Sequence, residues 1–317
     1  MTRQQIIEPI NKTFDEILGS VAKYSRDKSK DHFQSKIITG DIIKTLASLD
    51  PKYEFDVIIA DPPYNIGKDF GNNKDNMELK EYVKWSEEWI ALCFKLLAKN
   101  GIIYIYGFSE ILARISVKYP VDKQRWLAWH YTNKTTPSST FWQRSHESIL
   151  CLWKNERPLL EIDQIREPYT ENYLKAAGKK RANTNGRFGN KETTYKVHEN
   201  GALPRDVINI PALAGGAGKA ERWFMCKTCK KEIFRPSELK KHKKHDILQH
   251  PTQKPMELTK RLIQSCINGN DGRTLIPFAG SGSECVVADS LNIEYIGIEL
   301  NPEYVQYARK WISASRK

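Results

Sequence analysis

Apolar runs of strand length alternate with amphipathic stretches of helix length up to residue 154. The alternation fails from 155 to 249 and resumes from 250 onward. This pattern constrains the chain more than any single motif, because strand–helix–strand alternation closes as a parallel sheet with right-handed crossovers. KIITGD (36–41) and FDVIIADPPY (55–64) read as strands, the second buried and running into a tight turn, with a short helix IIKTLASL between them. The stretch 79–101 has helical periodicity with a stop at Asn100-Gly101, before the apolar strand IIYIYG. A helix over 109–117 and strands around 125–131 and 148–154 extend the pattern. Beyond 250 come a helix (256–268), a strand (273–278), a helix (283–291), a strand (293–299) and a helix (302–312). The expected fold class is therefore α/β: a Rossmann-like, mixed but mostly parallel sheet flanked by helices and completed from the far end of the chain. Near the start, Phe14, Ile17, Leu18 and Val21 fall at helical spacing within 11–25 and predict a short helix on an edge of the core.

The interrupting segment is rich in Lys, Arg, Asn, Gly and Tyr and carries the turn-prone stretches AGKKRANTNGRFGNK and LAGGAGKAER. The organisation expected is a first α/β part (1–154), an inserted region (155–249) and a second α/β part (250–317). A formal charge of +12, from 50 Lys and Arg against 38 Asp and Glu, favours a polyanionic partner. Lys179, Lys180, Arg181 and Arg187 are candidates for contacting it. The N-terminal residues lack the apolar stretch of a signal peptide, and no run is long enough to span a bilayer, so the reading is a cytoplasmic protein without a membrane partner. Six scattered cysteines do not form a disulfide framework in a chain of this length.

Two turns carry the chemistry. Asp61-Pro62-Pro63-Tyr64 stands at the C-terminal end of a buried strand, where open α/β sheets bind their ligands. Its prolines remove two donors and leave carbonyls free to accept. An aromatic amino nitrogen is a poor nucleophile because its lone pair is delocalised, and acceptors on both its hydrogens, the Asp61 carboxylate and the Pro62 carbonyl, would draw it toward tetrahedral geometry. Tyr64 would stack on the base. The second turn, Pro277-Phe278-Ala279-Gly280-Ser281-Gly282, joins a strand to a helix, and its small residues allow a ligand close to the backbone. The next strand ends in Glu299, well placed for a ribose diol.

With both turns in this order, the chain resembles the permuted β-type DNA amino-methyltransferases, which have the class I methyltransferase fold with the catalytic motif ahead of the cofactor motif. The resemblance covers roughly 36–154 and 250–312, and includes His250-Pro251-Thr252-Gln253-Lys254-Pro255, similar to an element lining the methionine end of the cofactor. It implies S-adenosylmethionine as methyl donor, with Asp61, Pro62, Pro63 and Tyr64 carrying catalysis. It also implies that Asp61, Thr252, Lys254, Phe278, Gly280, Ser281, Gly282 and Glu299 bind the cofactor. Asp41 matches an acidic residue near the cofactor adenine, and reads equally well as an N-cap for the helix after it. His146-Glu147 resembles an H-E pair of the family. Many members carry an aspartate where Ile276 stands here, and Glu284 is the candidate to replace it.

The activity implied is site-specific methylation of double-stranded DNA at N6 of adenine, with the target base flipped out of the duplex, in a bacterial or phage restriction–modification setting. N4 of cytosine is the nearest alternative, and a DNA-binding protein with a degenerate cofactor site the next. A homodimer and a cognate restriction endonuclease acting separately are the protein partners implied.

Cys226-Lys-Thr-Cys229, His242 and His245 have nearly zinc-finger spacing, which suggests a structural Zn2+ in a module over 224–246. His250 is a rival fourth ligand. Phe234 and Leu239 take the positions of a small finger core, and Ser237-Glu238-Leu239 is expected to open a helix carrying both histidines. The many lysines of 226–245 suit phosphate contacts.

Overall fold

Strands buried on both faces form the middle of the sheet. In β2 (Phe55–Ala60) only Asp56 is not fully buried, and in β10 (Arg273–Ile276) every residue is buried, the pattern required where helices cover both faces. The computed structural model describes residues 33–67, 75–131, 133, 138–180, 194–214, 221–229, 232–233, 236–269 and 271–316. The expected helix over 11–25 lies outside the described residues, as do Arg181, Arg187 and Phe234.

The first part of the chain supplies β1 (Lys36–Thr39), α1 (Ile42–Ser48), β2, α2 (Leu79–Leu96), β3 (Leu97–Gly107), α3 (Ser109–Ser116), β4 (Gln124–His130) and β5 (His146–Leu152). The inserted region adds α4 (Glu171–Ala176), β6 (Val207–Asn209), β7 (Phe224–Cys226), β8 (Glu232–Ile233) and β9 (Ile247–Leu248). The last part gives α5 (Met256–Gln264), β10, α6 (Ser283–Ser290), β11 (Glu294–Glu299) and α7 (Pro302–Ser315). Eight strands pair in the order β1-β11-β10-β2-β3-β5-β4-β6, so the two late strands slot between β1 and β2. Pairing is parallel from β1 through β3 and antiparallel at β3–β5 and β5–β4. The expected mixed, mostly parallel sheet is the one observed.

One apolar cluster packs α5, α6 and α7 on one face, and a second packs α1, α2 and α3 on the other. From β2 the chain leaves through α2 toward β3, and from β10 through α6 toward β11, on the opposite face and in the opposite direction. Strands β2 and β10 therefore flank a topological switch point, where loops diverge and leave a crevice.

One local expectation is corrected. Helix α2 ends at Leu96 rather than at Asn100-Gly101, with Leu97 already extended (φ −74°, ψ 134°). The buried Lys154 ammonium donates to the carbonyls of Phe94 and Leu97, so the helix end needs no glycine cap. Gly101 serves the sheet instead, since a Cβ there would lie 2.9 Å from the Phe55 carbonyl oxygen. The inserted region is also tied into the main sheet: β6 pairs parallel with β4, and the indole of Trp129 donates to the Ile210 carbonyl at 2.8 Å. Strands β7, β8 and β9 form a small separate sheet. Among the described residues, no helix is long and apolar enough to cross a membrane.

Candidate active site

Both turns at the switch point open into one cavity of about 470 Å3, a size that suits a nucleotide-like ligand. Its lining brings together the Asp61–Tyr64 turn, the Pro277–Ser281 turn, residues 250–254, Asp41, Glu284 and Glu299. These come from five separate stretches of chain.

At the proline turn, the Tyr64 hydroxyl lies 2.9 Å from a carboxylate oxygen of Asp61 and 2.9 Å from one of Glu147. Lys254 approaches the same two acids, at 2.8 Å and 3.4 Å. Tyr82 donates to the Pro63 carbonyl at 2.6 Å and so pins the turn to α2. Burial raises the Asp61 pKa, and the Lys254 charge opposes it without cancelling it. Burial alone would strip the proton from Lys254, but Asp61 and Glu147 outweigh it and hold the ammonium charged. The resemblance to an H-E pair thus falls on a residue of the site: Glu147, at the start of β5, shares Tyr64 and Lys254 with Asp61.

At the glycine turn, Gly280 (φ +50°) donates its N–H to Glu299 at 2.9 Å. A Cβ at Gly280 would lie 2.7 Å from the Nε2 of His250, so the bare backbone lets the 250–254 segment rest on the turn. Gly282 (φ +81°) is outside the cavity lining, and a Cβ there would come within 2.4 Å of Ala308 Cβ. Its place is in the packing of α6 against α7. Glu299 accepts a second backbone N–H, from Asn301 at 2.8 Å. Asp41 caps α1 by accepting the Lys44 N–H at 3.1 Å, and it also lines the cavity.

Ile276 is a core residue, 1% exposed. Glu284, at the start of α6, is buried against the cavity and takes a hydrogen bond from the Ser283 hydroxyl at 2.9 Å. Burial, and then the charge of Asp61, push its pKa up to about 7. Among the described residues, Asp41, Asp61, Asp75, Glu147, Glu284 and Glu299 line the cavity against Arg222 and Lys254. A protein of net charge +12 thus encloses an acidic pocket, which suits a cationic ligand inside and a polyanion outside.

An aromatic wall completes the lining. Phe278 meets Trp85 at 5.7 Å and Trp89 at 5.2 Å between ring centroids, and Tyr64 meets Phe108 at 5.1 Å. Sequence reasoning missed Tyr82, Trp85 and Phe108. The first two share with Trp89 one face of α2, a signal that periodicity assigns to core before site.

The second predicted cluster also assembles. Cys226, Cys229, His242 and His245 each offer a ligand atom within 4.8 Å of the others. Cys226 Sγ is 3.3 Å from His245 Nδ1, Cys229 Sγ is 3.5 Å from His242 Nδ1, and the two Nδ1 atoms are 3.1 Å apart. His250 is not among the four; its ring packs on Tyr304 and lines the cavity. The helical segment Pro236–His242 is a 3-10 turn that carries His242 alone, with His245 in the turn after it.

The fold and this site define a nucleotide-binding α/β enzyme of the class I methyltransferase type. The sequence model of the DNA methylase family with N6 and N4 members matches residues 55–310, and the chain belongs to that family of DNA methyltransferases. It is 29% identical over 283 residues to the type II methyltransferase M.HpaI of Haemophilus parainfluenzae, covering 87% of this chain and 73% of that one. With the DNA adenine methyltransferase YhdJ of Escherichia coli K12 it shares 28% identity over 273 residues, 85% of this chain and 80% of the relative. The fold is shared with the cytosine-N4-specific PvuII DNA methyltransferase at a TM-score of 0.57 and 15% identity, over 89% and 92% of the two chains.

Proposed function

We propose that this methyltransferase modifies N6 of adenine in double-stranded DNA, using S-adenosylmethionine, as the modification partner of a separately acting restriction endonuclease in a bacterial cytoplasm. The observation that carries the reading is Asp61-Pro62 facing the same cavity as the glycine turn, with acidic groups clustered between them. YhdJ, a DNA adenine methyltransferase, supports the choice of base, and M.HpaI, a type II methyltransferase, supports the restriction–modification setting.

When bound, S-adenosylmethionine supplies a methyl group on a positively charged sulfur. Glu299 and Asp41 are placed to take the ribose and adenine side, and Phe278 offers a ring face. Glu284, in place of the aspartate that Ile276 replaces, takes the ammonium. The site excludes water and positions the reacting atoms; the cysteines of the core, Cys93, Cys151 and Cys285, are buried with thiols pushed up by burial and act as no nucleophile. The flipped base enters beside Tyr64, and its amino group donates to Asp61 and the Pro62 carbonyl. Lys254, 2.8 Å from Asp61, opposes the rise that burial imposes on its carboxyl and so favours the accepting carboxylate form. Basic residues outside the cavity, Lys179 and Lys180 among them, take the phosphates. Cys226, Cys229, His242 and His245, whose ligand atoms lie within 4.8 Å of one another, would hold a structural zinc, two thiolates and two imidazoles being a donor set that zinc favours.

Cytosine N4 is the second reading, favoured by the shared fold of the PvuII enzyme. The test is transfer of labelled methyl to unmethylated genomic DNA followed by nucleoside analysis, comparing the native protein with Asp61→Ala. Label in N6-methyladenine that is lost in the variant is the expected result. Label in N4-methylcytosine corrects the base, and DNA binding without transfer overturns the reading.

A further inference from the structure

The cysteine and histidine cluster lies outside the active site, yet both chain arms that leave it run straight into the cavity. Upstream of Cys226, Arg222 lines the cavity and Trp223 stacks on Trp311 of α7 at 5.3 Å. Downstream of His245, β9 pairs back onto β7 (Met225 with Leu248, Cys226 with Ile247) and delivers the chain to His250 and Lys254. The arms are cross-tied beyond the cluster. Gln253 donates to the Glu221 carbonyl at 3.2 Å, and the Glu221 carboxylate accepts the Met256 N–H at 3.1 Å, at the start of α5. Lys227 is paired with Glu303 of α7 at 2.6 Å.

The module between the arms has little of its own to fold around. Among the described residues, its separate core is Phe224 and Cys226 with Leu239 and Ile247 packed against them, while Met225 and Leu248 of the arms face the main core. A core of that size does not hold a chain segment in place, and small modules of this kind draw their folding free energy from a bound metal. Two of the four ligands, Cys226 and His242, are buried, so the cluster is part of this small core and not an ornament on it.

We infer that metal bound by Cys226, Cys229, His242 and His245 acts as a positioning device for the cofactor site: it clamps the two arms so that residues 250–254 lie on Gly280 and Lys254 reaches Asp61. The inference rests on the zinc reading above and goes beyond it, because a surface finger devoted to DNA would leave methyl-donor binding unaffected. Here the same metal controls it. The path is short and covalent, from His245 through β9 to the His250 ring, whose Nε2 occupies the space a Gly280 side chain would need, and on to the Lys254–Asp61 contact at 2.8 Å.

The test uses the full-length protein. Metal content is measured on the purified enzyme, the metal is stripped with a chelator, and affinity for S-adenosylmethionine is followed by calorimetry as zinc is returned in steps. The expected result is one zinc per chain, at least tenfold weaker cofactor binding after stripping, and recovery in proportion to zinc restored. Cys229→Ser is expected to reproduce the stripped state, while His245→Cys, which keeps four zinc ligands, is expected to retain both metal and affinity. Amide exchange is expected to quicken in 221–229 and 247–256 on stripping, with β2 and β10 still protected. If zinc is present and cofactor affinity is independent of its occupancy, the positioning inference is overturned and the zinc reading stands. If the protein binds no zinc even on reconstitution, both fall.

Discussion

The turn after β2 and the turn after β10 end adjacent parallel strands and face one cavity, but they are built from opposite backbone chemistry. The first has two prolines, so it presents carbonyls, a carboxylate and no proline N–H; it is an acceptor surface, pinned by Tyr82. The second has glycines at φ +50° and +81° and turns the Gly280 N–H inward onto Glu299, leaving room for a neighbour against bare backbone. An acceptor surface suits an amino group about to lose a proton. A bare turn flanked by Glu284 and Glu299 suits a cation with a diol. The pair teaches that one switch point can offer two different residue chemistries to one cavity, one from each of two neighbouring strands.

That division of labour is open to attack at four points. Asp61→Ala removes the acceptor from the proline turn and is expected to lower the rate of methyl transfer at least about 100-fold, the scale of losing a preorganised group at a reacting atom. Cofactor affinity measured by calorimetry should fall far less; equal losses in both would mean that the two turns do not divide the work.

At the glycine turn, Gly282→Ala forces a side chain into a positive-φ position and against Ala308. A loss of about 2–4 kcal/mol of stability is expected in urea unfolding, with cofactor affinity per folded molecule unchanged. A selective loss of affinity would return Gly282 to the cofactor site.

Glu284 sharpens the comparison through pH. Its carboxyl titrates at about 7 in the folded protein against an ordinary 4.5, so the native state holds a proton that the unfolded chain releases. Stability of the ligand-free protein therefore falls as pH rises through that window, whereas affinity for a cationic cofactor rises as Glu284 ionises. Glu284→Gln is expected to flatten both profiles and to weaken cofactor binding about tenfold near pH 8, with little change near pH 5.5. An unchanged affinity at the higher pH would remove Glu284 from the ammonium site.

The smallest effect is expected at Asp41. Its loss as a cap costs about 1 kcal/mol, read by urea unfolding of Asp41→Ala; a cofactor affinity that also falls shows that the residue serves both roles.

Strand and helix order was legible in the sequence because apolar spacing is local: KIIT, FDVIIA, RTLI and EYIGIE all form the strands expected. Both turns and the metal-type cluster were legible for the same reason, since their residues are near neighbours or follow a known spacing. The end of α2 was not, because its stop depends on Lys154, far along the chain. Nor was the joining of β6 to β4, since a three-residue strand has too little periodicity to announce itself.

By itself, then, the sequence determined the α/β class, the two turns and the cysteine pair with its candidate histidines, all of which depend on short-range pattern and on side-chain chemistry. Only the tertiary structure decided which acids face the Tyr64 hydroxyl, that His250 belongs to the cavity and His245 to the cluster, and that Gly282 packs a helix. Each of these depends on atoms brought within a few ångströms by strand order, and strand order is fixed by burying two apolar faces at once, a property of the whole sheet and of no segment within it.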